Sequence, residues 1–347
     1  VAPTIFNGET RVDNWAVFGS VGVDITDRLE ATAELRYAED EIGNFKTLPT
    51  PVLIEQKFDS VSPRVTLTYK LDDRRMLYAN VAQGNKPGVI NADPRFPPEI
   101  RFADEEESWN YEIGTKNTLL DGRLSANLAL YYIDWDKQQL TTAFTFPTGG
   151  TMSYITNAGK TRVQGMEVEL SALVTSDLTL GLNYAFTDTE FRELNDVEAQ
   201  QLFGDPSLRG FELPGVPKHQ GNLFARLAFR PAANVDAFVR ADLSYTSKKY
   251  DQVFNLAHTG DATVLNLTAG FSLERWDFSM FVRNLTDDRT PSSVTRYVDQ
   301  LNLNVPQIVG NQPPELDNVP GTTTLERAFF YPLPAKRQFG MNLAYRF

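Results

Sequence analysis

Apolar and polar side chains alternate one by one along most of this chain. In residues 178–187 the leucines and aromatic residues occupy even positions, and small or polar residues occupy odd ones. In residues 235–245 the odd positions are apolar, whereas Asp236, Arg240 and Asp242 fall on the opposite face. Because successive side chains of a β-strand point to opposite faces, this period of two predicts strands with one apolar and one polar face.

The same alternation recurs throughout residues 1–347 and predicts an all-β fold. Clear examples are residues 31–37, 65–69, 124–132, 166–172, 223–229, 265–273, 276–282 and 339–347, with weaker ones at residues 17–25, 77–81 and 109–115. The pattern gives about thirteen strands, and no segment combines helical periodicity with helix-capping residues.

The connections between these strands are alternately short and long. Tight turns fall at residues 26–28, 72–73, 121–122, 176–177, 231–234 and 274–275. Long segments occupy residues 40–57, 85–106, 144–151, 191–218, 248–261 and 286–336. Short periplasmic turns and long extracellular loops are typical of outer-membrane barrels, so the pattern predicts an antiparallel transmembrane β-barrel.

Aromatic residues near strand ends agree with that prediction. Tyrosine and tryptophan favour the two interfaces between a membrane and water. The residues expected there are Tyr37, Tyr69, Trp135, Tyr184, Tyr245 and Trp276. The chain ends in an alternating strand that closes with Phe347, as is typical of proteins inserted by the outer-membrane assembly machinery.

The composition argues against several other functions. The 347 residues contain no cysteine, which excludes disulfides, thiol catalysis and cysteine metal sites. The net charge is -12 and lysine and arginine are not clustered, which argues against a nucleic-acid partner. Neither His219 nor His258 lies in a metal-binding pattern, and no nucleophile elbow or phosphate loop occurs. We therefore expect no enzyme, no catalytic residue, no metal site and no cofactor.

Several short segments form a recognisable set in the order in which they occur. They are residues 77–88 (LYANVAQGNKPG), 107–116 (ESWNYEIGTK), 157–160 (NAGK) with 165–169 (GMEVE), 217–219 (PKH), 282–287 (VRNLTD) and 337–340 (RQFG). This set resembles the C-terminal barrel of TonB-dependent receptors, which import iron-siderophore complexes, cobalamin and other large nutrients. The resemblance covers essentially the whole chain.

The resemblance implies a larger protein. Receptors of this family have a 22-stranded barrel with a plugged lumen. Neither their N-terminal plug domain nor the box that contacts TonB is recognisable here. We therefore expect residues 1–347 to be the C-terminal part of the barrel, with Val1 in an extracellular loop. The implied partners are its own plug domain, TonB through the missing N-terminal part, and the lipid and lipopolysaccharide of a Gram-negative outer membrane.

The function implied by the resemblance is active uptake of a nutrient, most often an iron-siderophore complex. Alternatives on the same scaffold are import of a carbohydrate, cobalamin or an aromatic compound. Periodicity and loop lengths alone are equally compatible with a passive porin, and the same loops also serve in surface adhesins and phage receptors. A plug domain and a TonB box distinguish the transporter from the porin.

Charged residues on the strands are expected to face the lumen, since a charge on the lipid face costs about 2–4 kcal/mol at the midplane. They are Glu34, Arg36, Glu112, Lys116, Glu167, Glu169, Arg226, Asp236, Arg240, Asp242 and Arg283. They either pair with one another and with the plug, or contact the ligand. Arg36 and Arg240 lie on strands that run outward, and a guanidinium presents a fixed fork of donors to an anionic ligand.

Loop residues supply the other candidate contacts. Aromatic residues at the outer mouth either grip an apolar ligand or pack the loops; they are Phe96, Phe102, Phe144, Phe146, Tyr154, Phe254 and Phe329. The acidic run at residues 104–107 either binds a cation or is a solvated loop end. The complete set of predicted ligand contacts is Arg36, Asn80, Tyr131, Trp135, Phe144, Phe146 and Arg240.

Overall fold

The computed structural model describes residues 8–46, 52–93, 95–145, 151–157, 159–298 and 327–347. The strands of these residues are β1 (Gly8–Asp24), β2 (Leu29–Lys46), β3 (Val52–Asp72), β4 (Arg75–Lys86), β5 (Val89–Ile90), β6 (Phe102–Ala103), β7 (Glu106–Leu119), β8 (Leu124–Asp136), β9 (Gln139–Thr145), β10 (Thr151–Asn157), β11 (Lys160–Leu173), β12 (Leu178–Glu193), β13 (His219–Ala232), β14 (Val235–Thr246), β15 (Ala262–Leu273), β16 (Trp276–Arg283), β17 (Thr295–Val298), β18 (Arg327–Phe330) and β19 (Gln338–Tyr345). Helical segments are α1 (Val197–Phe203) and two single 3-10 turns, Pro98–Ile100 and Leu120–Gly122. No helix within these ranges is long and apolar enough to cross a membrane.

Thirteen of these strands form one antiparallel sheet, which confirms the predicted fold class. Their order is β1-β2-β3-β4-β7-β8-β11-β12-β13-β14-β15-β16-β19. The strands β5–β6, β9–β10 and β17–β18 form three separate two-stranded sheets within the long connections. All six predicted tight turns fall at or between the ends of consecutive strands of the large sheet.

The described chain divides into two compact units. The first unit comprises Val1–Glu212 and Gly221–Leu227, and the second comprises Leu213–Gln220 and Ala228–Phe347. The first contains β1 to β12 with their loops, and the second contains β14 to β19. Strand β13 has residues in both.

The strands keep one apolar and one polar face, as the alternation predicts. In the first unit Val17, Leu35 and Ile113 are 64%, 55% and 57% exposed on the apolar face. On the opposite face Arg64 Nη1 lies 3.4 Å from Glu34 Oε2. Exposed apolar surface costs about 25 cal/mol per Å² in water, so a continuous apolar face of this kind belongs in lipid.

The height of the apolar face can be measured on β12. Its apolar row runs over residues 178–186, and the same face continues with Asp188 and Glu190. Nine residues match the roughly 9–11 that a tilted strand needs to span a bilayer. The acidic pair therefore marks the outer limit of the lipid-facing band.

The buried core of the first unit lies at the end of the sheet with the long connections. Ala38, Phe96 and Ala103 are at most 3% exposed, and Phe191 and Leu208 are fully buried. Ala38 and Phe191 belong to strands of the large sheet, Ala103 belongs to the short strand β6 of the β4–β7 connection, and Phe96 and Leu208 belong to loops. Phe191 exchanges backbone hydrogen bonds of 2.9 Å with Phe211 and Gly210 of the β12–β13 connection. The long loops thus fold back against the sheet and supply the packed core there.

The long connections contain more regular structure than the sequence indicates. Residues 40–57 were expected to form a loop, but β2 continues to Lys46 and β3 begins at Val52. Above the membrane both faces of these strands meet water, so charged residues such as Glu41 and Lys57, which pair at 3.2 Å, hide the alternation. Strands β9 and β10 and helix α1 also lie within or beside segments expected to be irregular.

Candidate functional site

Two of the predicted contacts lie in one polar row on the inner face of the first unit. Asn80 pairs in register with Glu112, and Glu112 pairs in turn with Tyr131. Asn80 is only 8% exposed and accepts a hydrogen bond of 3.0 Å from the Thr66 hydroxyl. The Tyr131 hydroxyl lies 2.9 Å from Thr187 Oγ1. Both side chains therefore face the lumen and are held by neighbouring strands.

Trp135 lies on the same inner face, nearer the outer end of β8. It pairs in register with Ser108 of β7 and with Thr161 of β11, four residues along the strand from Tyr131. The prediction that Trp135 belongs to the lipid-facing aromatic girdle is therefore wrong. Trp135 is an even number of residues from Tyr131 and so points to the same face, whereas the exposed Leu130 and Tyr132 point to the lipid face. Its role as a ligand contact stays a prediction.

The two predicted arginines differ in their surroundings. Arg36 of the first unit is exposed, lies in register with Phe18 and Ser62, and has no ion-pair partner within the part of the chain that the structure describes. Arg240 of the second unit binds both carboxylate oxygens of Asp242, with Nη2 2.6 Å and Nε 2.8 Å away. Arg36 therefore offers an available guanidinium, whereas that of Arg240 already engages a carboxylate.

Three aromatic side chains meet in the loops of the first unit. The ring centroids of Phe96 and Phe144 are 5.9 Å apart, those of Phe96 and Tyr154 are 5.9 Å apart, and those of Phe144 and Tyr154 are 6.4 Å apart. Phe96 comes from the β4–β7 loop, and the other two come from the β9–β10 hairpin. Phe102 is exposed, Phe254 is buried in the second unit, and Phe146 and the side chain of Phe329 lie outside the described residues.

Three amide side chains join the β4–β7 loop to the β9–β10 hairpin. We call them the amide clamp: Asn91, Gln139 and Asn157. Asn91 Nδ2 donates to the carbonyls of Ile100 and Ile155, both at 2.7 Å, and its Oδ1 accepts from the Ile155 amide at 2.9 Å. Gln139 Nε2 donates to the carbonyls of Pro87 and Asp104 at 2.8 and 3.1 Å.

Asn157 completes the clamp from the end of β10. Its Nδ2 donates to the carbonyls of Asp104 and Lys137 at 3.0 and 2.8 Å, and its Oδ1 accepts from the Asp104 amide at 2.7 Å. The clamp thus fixes the loop and the hairpin to each other almost entirely through backbone groups.

Glu106 shows that the acidic run is not simply a solvated loop end. This residue is 6% exposed, its Oε2 accepts from the Gln139 amide at 2.7 Å, and Lys86 Nζ lies 3.6 Å away. A charge that is this buried needs such partners. Across the described ranges no group of three or more histidine, aspartate or glutamate side chains is placed to hold a metal ion.

The β12–β13 connection approaches the three rings of Phe96, Phe144 and Tyr154 through Asp196, which caps α1. Its Oδ1 accepts from the Ala199 amide at 3.2 Å, and its Oδ2 accepts from the Thr142 hydroxyl at 3.5 Å. Burial raises the pKa of Tyr154 above its ordinary value, and the negative charge of Asp196 adds to this effect. At neutral pH Tyr154 is therefore an uncharged phenol.

The β4–β7 loop and the β9–β10 hairpin enclose an open cleft of about 510 Å³ beside the rings of Phe96, Phe144 and Tyr154. Residues 89–93 and Phe96 form one wall, and Thr141 with residues 152–155 forms the other. Asn91, Gln139 and Asp196 were not predicted from the sequence. The only usable signal was Asp196 as a helix-capping residue, since the amides of Asn91 and Gln139 bind backbone groups up to 64 and 52 residues away.

A comparison with protein families identifies the chain. The family model described as "TonB dependent receptor-like, beta-barrel" matches residues 1–285. The chain belongs to the TonB-dependent receptor family. Members of this family are β-barrel receptors of Gram-negative outer membranes. Both the predicted family and the predicted fold are confirmed.

Several TonB-dependent receptors are similar to this one. The metal-pseudopaline receptor of Pseudomonas aeruginosa is 30% identical over 56% of this chain and 25% of its own length. A probable TonB-dependent siderophore receptor of Acinetobacter baumannii is 24% identical over 83% of this chain and 39% of its own. The crystal structure of the ferric yersiniabactin uptake receptor of Yersinia pestis superposes with a TM-score of 0.75 at 20% identity, covering 99% of this chain and 47% of that one. The chain spans less than half the length of these relatives.

Proposed function

We propose that this chain is the C-terminal part of the barrel of an outer-membrane transporter that imports a metal-siderophore complex with energy delivered through TonB. The observation that carries the proposal is the family match over residues 1–285. Relatives named as siderophore or metal-chelate receptors support the cargo. A plug domain contributed by the rest of the protein closes the lumen in this proposal, and TonB acts on that part.

The inner face supports capture of a polar cargo. Asn80 of β4 and Tyr131 and Trp135 of β8 lie on the lumen side of the two strands that flank β7, and Arg36 presents an exposed guanidinium on the same side of the sheet. A ferric chelate with carboxylate or other anionic groups matches a guanidinium fork. We propose that these residues contact the ligand after it passes the loops, with Arg36 as the main anion contact.

A second candidate function is import of an aromatic compound that carries no metal. The cluster of Phe96, Phe144 and Tyr154 beside an open cleft favours it, because concave sites lined by aromatic residues bind apolar ligands. A passive porin is less well supported, since the long loops of the first unit fold back against the sheet and pack a core at that end.

Uptake in the native host tests the proposal. Deletion of the whole gene is expected to reduce growth and radiolabelled-iron uptake under iron starvation, and deletion of TonB is expected to have the same effect. Added iron salt is expected to restore growth. Unchanged iron uptake together with a TonB-dependent growth defect on an aromatic carbon source would instead favour the second candidate.

A further inference from the structure

The cleft between the β4–β7 loop and the β9–β10 hairpin is lined mainly by apolar groups. Ile90, Phe96, Met152 and Ile155 are among its lining residues, and residues 89–93 run along one wall. Its volume of about 510 Å³ lies within the range of roughly 300–1,000 Å³ that is typical of small-molecule sites. That space accommodates a substituted ring.

The ionisable groups at the cleft are already satisfied. Asp93 is the carboxylate among the described lining residues, and it is 8% exposed. Arg95 binds it through two parallel contacts, Nε to Oδ1 and Nη2 to Oδ2, each at 3.0 Å. A fork of this kind neutralises the carboxylate and occupies both of its oxygens. The cleft therefore presents no free charge to an incoming group.

Tyr154 adds a polar but uncharged edge to the lining. Burial and the neighbouring charge of Asp196 raise its pKa, so its hydroxyl keeps its proton at neutral pH. A phenolate would be a strong metal ligand, whereas the phenol is a hydrogen-bond donor and acceptor. No metal-binding group of acidic or histidine residues occurs within the described ranges, so no metal site accompanies it there.

The walls of the cleft are held in place without a ligand. Asn91 lies in one wall and bonds the backbone of Ile155 in the other at 2.7 and 2.9 Å. Phe96 is 3% exposed and packs on both Phe144 and Tyr154. A site that is formed in advance loses less entropy when a ligand binds.

From these observations we propose that the cleft is a subsite for an uncharged ring or alkyl group at the periphery of the imported ligand. The inference rests on the proposed function, because it assigns this cleft to the same cargo. It divides recognition into two parts: the loops hold the apolar periphery, and the polar inner face holds the charged part of the chelate.

A direct binding measurement tests the subsite. The full-length receptor, with its plug, is placed in lipid nanodiscs, and 4-fluorophenol is titrated as the probe with detection by fluorine NMR. Ser153 is exposed and is one of the residues that line the cleft, so Ser153→Trp adds an indole at the cleft wall. We expect this variant to weaken probe binding about tenfold or more. Gln200→Trp, on the exposed face of α1, is the matched control and is expected to bind as the unaltered receptor does.

Charged probes test the chemistry of the subsite. We expect 4-fluorobenzoate and 4-fluorobenzylammonium to bind at least about fivefold more weakly than 4-fluorophenol, because each brings an unpaired charge into an apolar cleft. Equal binding by the Ser153→Trp and unaltered receptors overturns the location, and stronger binding of either ion overturns the chemistry. Iron uptake in cells is a separate readout. Normal iron uptake together with unchanged probe binding by the Ser153→Trp receptor would reject the subsite but leave the proposed transport function standing.

Discussion

At the scale of single residues, the best-defined interactions in the loops come from amide side chains that bind backbone groups. Asn91 alone satisfies two carbonyls and one amide, with distances of 2.7 to 2.9 Å. A buried polar group that loses its partner costs about 1–3 kcal/mol. The Asn91 side chain therefore stabilises the folded conformation of the β4–β7 loop against the β9–β10 hairpin.

Replacement of Asn91 by alanine is expected to loosen the loop and the hairpin together. The carbonyls of Ile100 and Ile155 and the Ile155 amide lose their partners, so the free energy of local opening should fall by about 2–4 kcal/mol. Hydrogen exchange of peptides covering residues 89–103 and 151–157 measures this change.

The matched control is Asn44→Ala, which removes an exposed amide that accepts a hydrogen bond from Thr10 at 2.7 Å. We expect no change in exchange of the same peptides. Asn91→Asp keeps the acceptor for the Ile155 amide but turns a buried carboxylate oxygen toward the carbonyls of Ile100 and Ile155, so an effect at least as large as that of Asn91→Ala is expected. Unchanged protection in Asn91→Ala would show that the clamp does not hold the loops.

Asp288 gives the loops of the second unit a dependence on pH. Burial alone would raise its pKa, but hydrogen bonds from the amides of Thr263 and Thr290, at 2.6 and 2.7 Å, lower it below the ordinary value. A carboxylate whose pKa is depressed by folding stabilises the fold above its unfolded pKa of about 3.9. That stability is lost as the pH falls through the folded pKa.

We therefore expect the segment around residues 284–290 to exchange faster, after correction for intrinsic rates, once the pH falls below about 4. In Asp288→Asn the neutral side chain does not titrate, so protection should be lower near pH 6 and this acid transition should be absent. An acid transition of equal size in both proteins would assign it to another group. Asp287, whose pKa is lowered by Arg289 and the Arg337 amide, is the neighbouring alternative.

At the scale of strands and helices, the sequence was informative where one face meets lipid and less so elsewhere. The alternation in residues 178–187 reproduces the membrane part of β12, and the tight turns fall between the expected strands. Strands β9 and β10 were missed because each has only seven residues and several threonines, so the alternation is short and weak. Helix α1 has seven residues, which is too few for a period of 3.6 to be recognised.

Part of the candidate site was likewise predictable. Asn80 and Tyr131 follow from the parity of alternation, which places them on the inner face. Phe144 was predicted, but its contacts with Phe96 and Tyr154 depend on how two loops meet, and local sequence does not encode that meeting. Trp135 was assigned both to the aromatic girdle and to the ligand contacts, and its register in β8 rules out the girdle.

Gly165 provides a test of strand packing. A Cβ at this position would collide with the Phe186 carbonyl and would lie 2.6 Å from the Tyr131 hydroxyl. We expect Gly165→Ala to disturb the pairing of β11 with its neighbours and to cost about 1–3 kcal/mol, as overpacking of a tight site does. Thermal loss of the compact form on unheated gels measures the change.

Gly19→Ala in β1 is the control, because nothing lies within 4 Å of a Cβ built there. It should leave the transition temperature unchanged within a degree or so, since a strand interior tolerates alanine at least as well as glycine. Equal effects of the two substitutions would argue against the close approach of β8, β11 and β12 at Gly165.

At the scale of the whole molecule, the strands of the first unit keep one apolar face and one polar face over the membrane part. Leu128 and Leu130 are 38% and 42% exposed on the lipid face of β8, while Ala129 between them faces the lumen. The chain depends on the bilayer to cover that face. Its stability is thus a property of protein and membrane together.

A pair of adjacent substitutions distinguishes the two faces. Leu128→Arg puts a charge near the middle of the lipid-facing row and is expected to destabilise the inserted full-length protein by about 2–4 kcal/mol. Ala129→Arg, one residue away, puts the same group on the lumen face, where Ala129 pairs in register with Glu167. We expect it to fold nearly normally, and the folded fraction in vesicles measures both effects.

The amide clamp has a consequence for how such receptors diverge. Asn91, Gln139 and Asn157 recognise main-chain groups, which every residue type carries, so the loop conformation does not depend on which side chains stand at the positions they hold. Substitutions at cleft positions such as Ala92, Thr141 and Ser153 leave those bonds intact. A lineage can therefore exchange the residues that meet a ligand one at a time, and inherit the scaffold that presents them unchanged.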